Sequence, residues 1–182
     1  SCGKAASRME VKIDSPDPNT HAGEIICRGT NLMLGYYKNP EATAQIIDKD
    51  GWLHTGDLGT MDNQGYVTIR GRSKNLLLNS SGHNIYPEEI ESKLNNMLYV
   101  SESLIVLQND KLVALIYPDF DEAFANGLQQ PDIEKAMENN RIELNLQLPS
   151  YSQITKVKIH FEEFEKTAKK SIKRFMYQEA KG

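Results

Sequence analysis

The chain has 182 residues, 39% hydrophobic and 25% charged, with a formal net charge of -4, a globular composition with room for one domain or two small ones. That acidic balance argues against a nucleic-acid binder, and no apolar run reaches membrane-spanning length or follows a basic start as a signal peptide would. Cys2 and Cys27 share no metal-ligand spacing and read as reduced thiols of a cytoplasmic protein, with no metal site. Ser1-Cys2-Gly3-Lys4 lacks an initiator Met and leads quickly into strand-like sequence, which reads as a piece excised from a longer chain.

Met9 to Ile13 alternates apolar and polar residues as a half-buried strand does, and Ser15-Pro16-Asp17-Pro18-Asn19 is a turn cluster. Gly23 to Arg28 predicts a second strand. Pro40 to Ile47 suits a short helix opened by proline. Asp62-Asn63-Gln64-Gly65 predicts a hairpin turn into Tyr66-Val67-Thr68-Ile69-Arg70, so the first 70 or so residues are mainly β.

After Gly71 the pattern changes. Leu76-Leu77-Leu78 reads as a short buried strand, and Pro87 opens a helix with Ile90, Leu94 and Met97 on one face. Leu104 to Leu107 and Leu112 to Tyr117 flank Asn109-Asp110 as an antiparallel hairpin. A longer helix is expected near Pro131 with Ile133, Met137 and Leu144 buried, then a strand from Val157 to Phe161. A basic segment, Lys166 to Arg174, precedes an expected final helix. The fold class is α+β, with the boundary near Arg72 to Asn75: residues 1–71 β-rich, residues 72–182 an α+β module.

Three segments in order carry a resemblance: Gly35-Tyr36-Tyr37-Lys38-Asn39-Pro40-Glu41-Ala42-Thr43, Gly51-Trp52-Leu53-His54-Thr55-Gly56-Asp57-Leu58-Gly59, and Gly71-Arg72-Ser73-Lys74-Asn75 followed by Ser80 to Glu91. They are similar to the signatures of adenylate-forming (AMP-binding) acyl-CoA synthetases, and Asn84-Ile85-Tyr86-Pro87-Glu88-Glu89-Ile90-Glu91 most resembles bacterial long-chain fatty-acid–CoA ligases. The resemblance implies a remnant of the large N-terminal domain over residues 1–71, followed by the mobile C-terminal lid. It implies ATP-dependent activation of a fatty acid to an acyl-adenylate, then thioester formation with CoA and release of AMP, with Mg²⁺ assisting in the complete enzyme. In such a family the small domain swings between two poses, one for each step.

On that resemblance Asp57 follows Thr55-Gly56 on a turn and accepts hydrogen bonds from the ribose hydroxyls of AMP; a turn aspartate capping its own backbone has the same sequence. Arg72 reaches the same nucleotide, or makes only a surface ion pair. Lys74 holds the hinge position, where backbone freedom matters more than charge, and an exposed linker lysine would look alike. Gly82 lines the CoA path or is a plain turn glycine. His83 and Asn84 read as loop polar residues, and Trp52, Tyr36 and Tyr37 as packing.

The tail departs from the family's P-K-T-x-x-G-K pattern. Counted from Thr167, the lysine position falls on Ser171, which leaves Lys170 as the adenylation candidate, with Lys173 behind it and a solvated basic face as the competing reading. No Ser/Thr/Gly-rich loop ending in lysine occurs, so the chain alone is expected to lack ligase activity. Other readings are a non-catalytic module that binds CoA or acyl carrier protein, and a relative that loads a carrier protein. For partners the expectations are fatty acid, ATP and CoA, no nucleic acid, and peripheral membrane contact through the remainder of the large domain. Self-association through Leu32, Met33, Leu34, Tyr36 and Tyr37 is a further expectation.

Overall fold

A computed structural model describes residues 1–178. The chain divides into two compact units, Ser1–Asn75, strand-rich with one short α-helix, and Leu76–Gly182, which mixes helices and strands.

The first unit is an antiparallel sheet in the order β1-β2-β3-β4: β1 (Met9–Asp14), β2 (Gly23–Gly29), β3 (Leu53–Met61) and β4 (Val67–Arg72). Its core is small. Ile13, Ile25 and Val67 are buried, with Val11 and Met61 packed on them. Trp52 adds a second anchor, 7% exposed, with the Lys12 ammonium 4.4 Å and the Arg28 guanidinium 4.6 Å from its ring. It is a packing residue, as expected. Helix α1 (Pro40–Ile46) starts where Asn39 accepts the Ala42 N–H at 3.0 Å, with proline in the first turn.

Gly23 lets β2 begin close against β1. A Cβ there would stand 2.0 Å from the Asp14 carbonyl oxygen, and backbone cannot yield as a side-chain tip can. Gly23→Ala is therefore expected to cost about 1–3 kcal/mol, read as a lowered denaturation midpoint at unchanged slope.

The second unit opens with a hairpin of β5 (Leu77–Leu78) and β6 (Asn84–Ile85). Leu77 is buried, but Leu78 faces solvent, because successive side chains of a strand point to opposite faces. Helix α2 (Pro87–Leu94) then packs on β7 (Val100–Gln108), which pairs with β8 (Lys111–Pro118). α2 ends at Leu94, one turn before Met97, which still packs on the same core. Asn109 and Asp110 both hold positive φ, 48° and 60°, the geometry a two-residue hairpin loop demands.

After β8 come α3 (Phe120–Ala125), which the sequence reading missed, and α4 (Gln130–Asn145) with Ile133, Met137 and Leu144 buried. The chain returns as β9 (Lys156–Ile159), parallel to β8. The missed helix had a signal: Asp119 caps it by accepting the Glu122 N–H at 2.9 Å.

The three-stranded sheet is covered on both faces, which explains why β7 and β8 are continuous apolar runs and do not alternate. Ile105, Leu112, Ala114 and Ile116 join the cluster that contains Leu94, Ile133 and Met137. Leu104, Val106, Val113 and Leu115 pack instead against Phe164, Ile172 and Tyr177 of the tail. The final helix expected after the basic segment is absent among the described residues; a single 3-10 turn, Arg174–Met176, stands there. Among the described residues no helix is long and apolar enough to cross a membrane.

Candidate functional site

Asp57 lies inside strand β3, not on a turn. The reason is a wide irregularity in the β2–β3 pairing, where Ile26 faces His54 and Glu24 faces Leu58, so Thr55, Gly56 and Asp57 oppose Ile25 alone. The Thr55 hydroxyl donates to the Ile25 carbonyl at 2.7 Å, and the Asp57 N–H reaches back to Thr55 Oγ1 at 3.1 Å. Gly56 sits at φ 72°, a conformation that costs an L side chain energy. The bulge turns the Asp57 carboxylate toward β4.

There it meets Arg72. The two are register partners on β3 and β4, and they form an ion pair with Arg72 Nε 3.0 Å from Asp57 Oδ1. Arg72 NH1 donates to the Thr55 carbonyl at 3.2 Å, so one guanidinium braces both ends of the bulge. The carboxylate remains one-third exposed and the guanidinium half exposed. Oδ2 has no protein donor among the described residues. The pair thus presents an acceptor and a donor fork side by side on a rigid ladder. Arg72 belongs with the first unit through this pairing, and Lys74 follows, exposed, in the 3-10 turn Ser73–Asn75 that ends it.

Gly82 closes a turn in the second unit. Its N–H donates to the Asn79 carbonyl at 3.0 Å, and its φ is 78°, in the left-handed region. A Cβ there would meet nothing within 4 Å, so the conformation, not the protein's own crowding, requires glycine. The loop is latched: the Ser80 hydroxyl donates to Asp110 and its N–H donates to Asp110 Oδ1 at 2.9 Å, and the hydroxyl first, then the amide, holds that carboxyl below its usual range. His83 stacks on Tyr151 with ring centroids 4.5 Å apart. It is a structural loop residue here.

The basic tail is a short hairpin more than a solvated face. Lys166 and Ile172 form a bridge, and the Thr167 N–H donates to the Ser171 carbonyl at 2.8 Å. Lys166 pairs with Glu102 at 2.7 Å, which pushes its ammonium pKa up, and Lys173 pairs with Glu165 at 3.4 Å. Arg174 forms a bidentate pair with Glu91 of α2, whose Oε1 also accepts the Ile105 N–H at 2.7 Å. Burial pushes the Glu91 carboxyl up, and Arg174 pulls against it. Lys170 stands apart, exposed at the tip with φ 60° and without a carboxylate partner among the described residues.

Sequence reasoning missed two groups. Glu24 and His54 flank the Asp57 bulge, and only the β2–β3 register brings them together. Glu91 and Arg174, 83 positions apart, could not be paired from spacing. Among the described residues no group of three or more His, Cys, Asp or Glu side chains gathers to hold a metal, so no Mg²⁺ ligand is assigned in this chain.

The model of the AMP-binding enzyme C-terminal domain family matches residues 74–180. A 3-[(3aS,4S,7aS)-7a-methyl-1,5-dioxo-octahydro-1H-inden-4-yl]propanoyl:CoA ligase of Rhodococcus jostii is 48% identical over 104 residues, 57% of this chain and 19% of that one. A 2-methylpropanoate–CoA ligase of Humulus lupulus is 33% identical over 181 residues, 94% of this chain and 31% of that one. Among solved structures, ATP-bound MatB from Rhodopseudomonas palustris matches with a TM-score of 0.69 at 26% identity, over 96% of this chain and 34% of that one. The chain thus spans about a fifth to a third of the length of these proteins. Other relatives are named as ligases of 4-coumarate and of long-chain fatty acids, so the family is common to them while the acid differs. The chain belongs to the AMP-binding enzyme C-terminal domain family over residues 74–180.

Proposed function

We propose that the chain is the C-terminal part of an ATP-dependent, AMP-forming acid–CoA ligase. In this reading it supplies the nucleotide's ribose-binding pair and the small domain that assists both half-reactions. The observation that carries it is the Asp57–Arg72 juxtaposition on adjacent strands, with a carboxylate oxygen still open to a ligand.

Two vicinal hydroxyls offer two donors, and a carboxylate accepts both in a fork. Arg72, fixed beside it, offsets the charge and has further N–H groups for the nucleotide. Lys74, on the turn that ends the first unit, is the pivot residue, and Gly82 lines the path of the CoA pantetheine arm. The first step joins a carboxylate to the α-phosphate of ATP and expels pyrophosphate; the second transfers the acyl group to the CoA thiol and expels AMP. The first needs a fixed cation near the forming bond.

Lys170 is the tail lysine this chain has to offer. Lys166, Lys173 and Arg174 are each tied to a glutamate, whereas Lys170 and its neighbour Lys169 are exposed, and of these two Lys170 lies next to Ser171. Ser171 sits within the hairpin, its amide donating to Thr167 Oγ1 at 3.3 Å. In the complete ligase, Lys170→Ala is expected to slow adenylation by about 10²–10³-fold, and Ser171→Ala to change it little. Acid-dependent pyrophosphate exchange checks this, and equal rates for the two variants remove Lys170 from the role. The chain by itself is expected to release no AMP from ATP and acid.

The long-chain assignment of the acid is retained as the finer proposal. It rests on the Asn84 to Glu91 wording and on the long-chain ligase among the relatives. A panel of palmitate, 4-coumarate and 2-methylpropanoate offered to the complete ligase decides it; preference for either of the latter two would refute it.

A further inference from the structure

The bulge that carries Asp57 is held by a side-chain network that touches neither of the residues so far assigned to the nucleotide. Where Ile25 alone faces three residues of β3, the Gly56 amide turns to a side chain, donating to Glu24 Oε1 at 2.8 Å. The other oxygen of the same carboxylate lies 2.8 Å from His54 Nδ1. On the far edge of the ring, His54 Nε2 lies 3.6 Å from Asp48 Oδ2. Asp48 is itself fixed, its Oδ1 accepting the Asp50 and Trp52 N–H groups at 2.9 Å. Trp52 is buried, so the chain Trp52–Asp48–His54–Glu24–Gly56 runs from the packed part of the unit to the glycine preceding Asp57.

We propose that Glu24 and His54 are positioning residues for the nucleotide-holding carboxylate: Glu24, aligned by His54, fixes the Gly56 amide and through it the direction of the Asp57 side chain. This rests on the reading of Asp57 as the ribose acceptor. A glycine at φ 72° is free to take other conformations, and Arg72 and the Thr55 hydroxyl hold the residues on either side of it but not its own amide. Without the Glu24 anchor, the competent bulge would be one of several, and affinity falls with its population.

The titratable groups facing the imidazole are Glu24 from β2 and Asp48 from the loop before β3. Both favour the cation, and the Glu24 hydrogen bond, the largest cause, holds the His54 pKa above the usual imidazole value against the effect of burial. Below that pKa both ring nitrogens carry protons, Nδ1 donating to Glu24 and Nε2 facing Asp48 at 3.6 Å. Above it the imidazole is neutral and the positive charge that holds the ring between Glu24 and Asp48 is gone. AMP affinity is therefore expected to fall as pH rises through the His54 pKa, in the window above the usual imidazole range.

The test is AMP binding to the complete ligase by calorimetry, as a function of pH, with Asp57→Ala alongside as the reference. Glu24→Ala is expected to weaken AMP about tenfold at neutral pH. Glu24→Gln keeps an acceptor for Gly56 but removes the charge, so affinity is largely held and the pH profile moves to lower pH. His54→Asn places an amide donor near the position of Nδ1 and is expected to retain most affinity with the pH step flattened. Should Glu24→Ala fail to fold, the Glu24→Gln profile decides, and a profile identical to wild type overturns the proposal. Full affinity in Glu24→Ala beside a loss in Asp57→Ala overturns it while leaving the ribose reading intact. Full affinity in both variants overturns both.

Discussion

Asp57→Ala in the complete ligase is expected to weaken AMP binding by about 10²-fold while leaving the fold intact. A carboxylate that accepts two ribose hydroxyls makes two charge-assisted hydrogen bonds, each worth roughly 1.5 kcal/mol or more, and about 3 kcal/mol in total corresponds to that factor. Structural cost is small by comparison. The Asp57–Arg72 pair is one-third and one-half exposed, and such pairs contribute about 1 kcal/mol or less. Affinity and stability are thereby separable: calorimetric titration should show the loss, and the denaturation midpoint should barely move. Asp57→Asn keeps the shape and one acceptor and should fall between the two.

The largest stability effect belongs to a residue outside the nucleotide site. Arg174→Ala is expected to cost about 3–5 kcal/mol, because it strands Glu91 as an uncompensated charge among apolar neighbours. Both partners of the pair are close to fully buried, 13% and 9% exposed. Against the roughly 5–15 kcal/mol that holds a domain together, the loss is severe. Its effect is also local: Phe164, Ile172 and Tyr177 cover one face of the β7–β8–β9 sheet, and Arg174 helps pin that cover to α2. A Glu91→Leu/Arg174→Met double variant should recover most of the stability, with a residue of about 1–3 kcal/mol because the Ile105 amide loses its acceptor. Urea unfolding of the chain measures both. A single-variant loss under 1 kcal/mol would show the pair to be dispensable.

Local signals were legible where chemistry is local. Asn109-Asp110 between two apolar runs gave the β7–β8 hairpin, because two left-handed residues are what that loop requires. Proline and the acidic pair Glu88 and Glu89 gave the start of α2, and heptad-like spacing gave the buried face of α4. The Asp57 and Arg72 candidates came from motif wording, and their meeting follows from the β3–β4 register. What stayed hidden depends on pairing between distant segments. A Thr-Gly-Asp stretch looks like a turn until the β2 register shows three residues facing one, and neither sequence alone contains that count. Glu24 was unremarkable for the same reason. In the basic tail the competing solvated-face reading fails for Arg174 and Lys166, whose partners, Glu91 and Glu102, lie 83 and 64 positions away. A charge run is a solvated face only when no buried carboxylate waits for it.

Ribose recognition by Asp57 is tested most directly by a cycle that removes the hydroxyls and the carboxylate in turn. AMP and 2′,3′-dideoxy-AMP would be titrated into the complete wild-type ligase and into its Asp57→Ala variant. The wild type should bind the dideoxy nucleotide about 10²-fold more weakly than AMP, and the variant should hardly distinguish the two. Equal discrimination by both proteins would mean that the hydroxyls are held elsewhere.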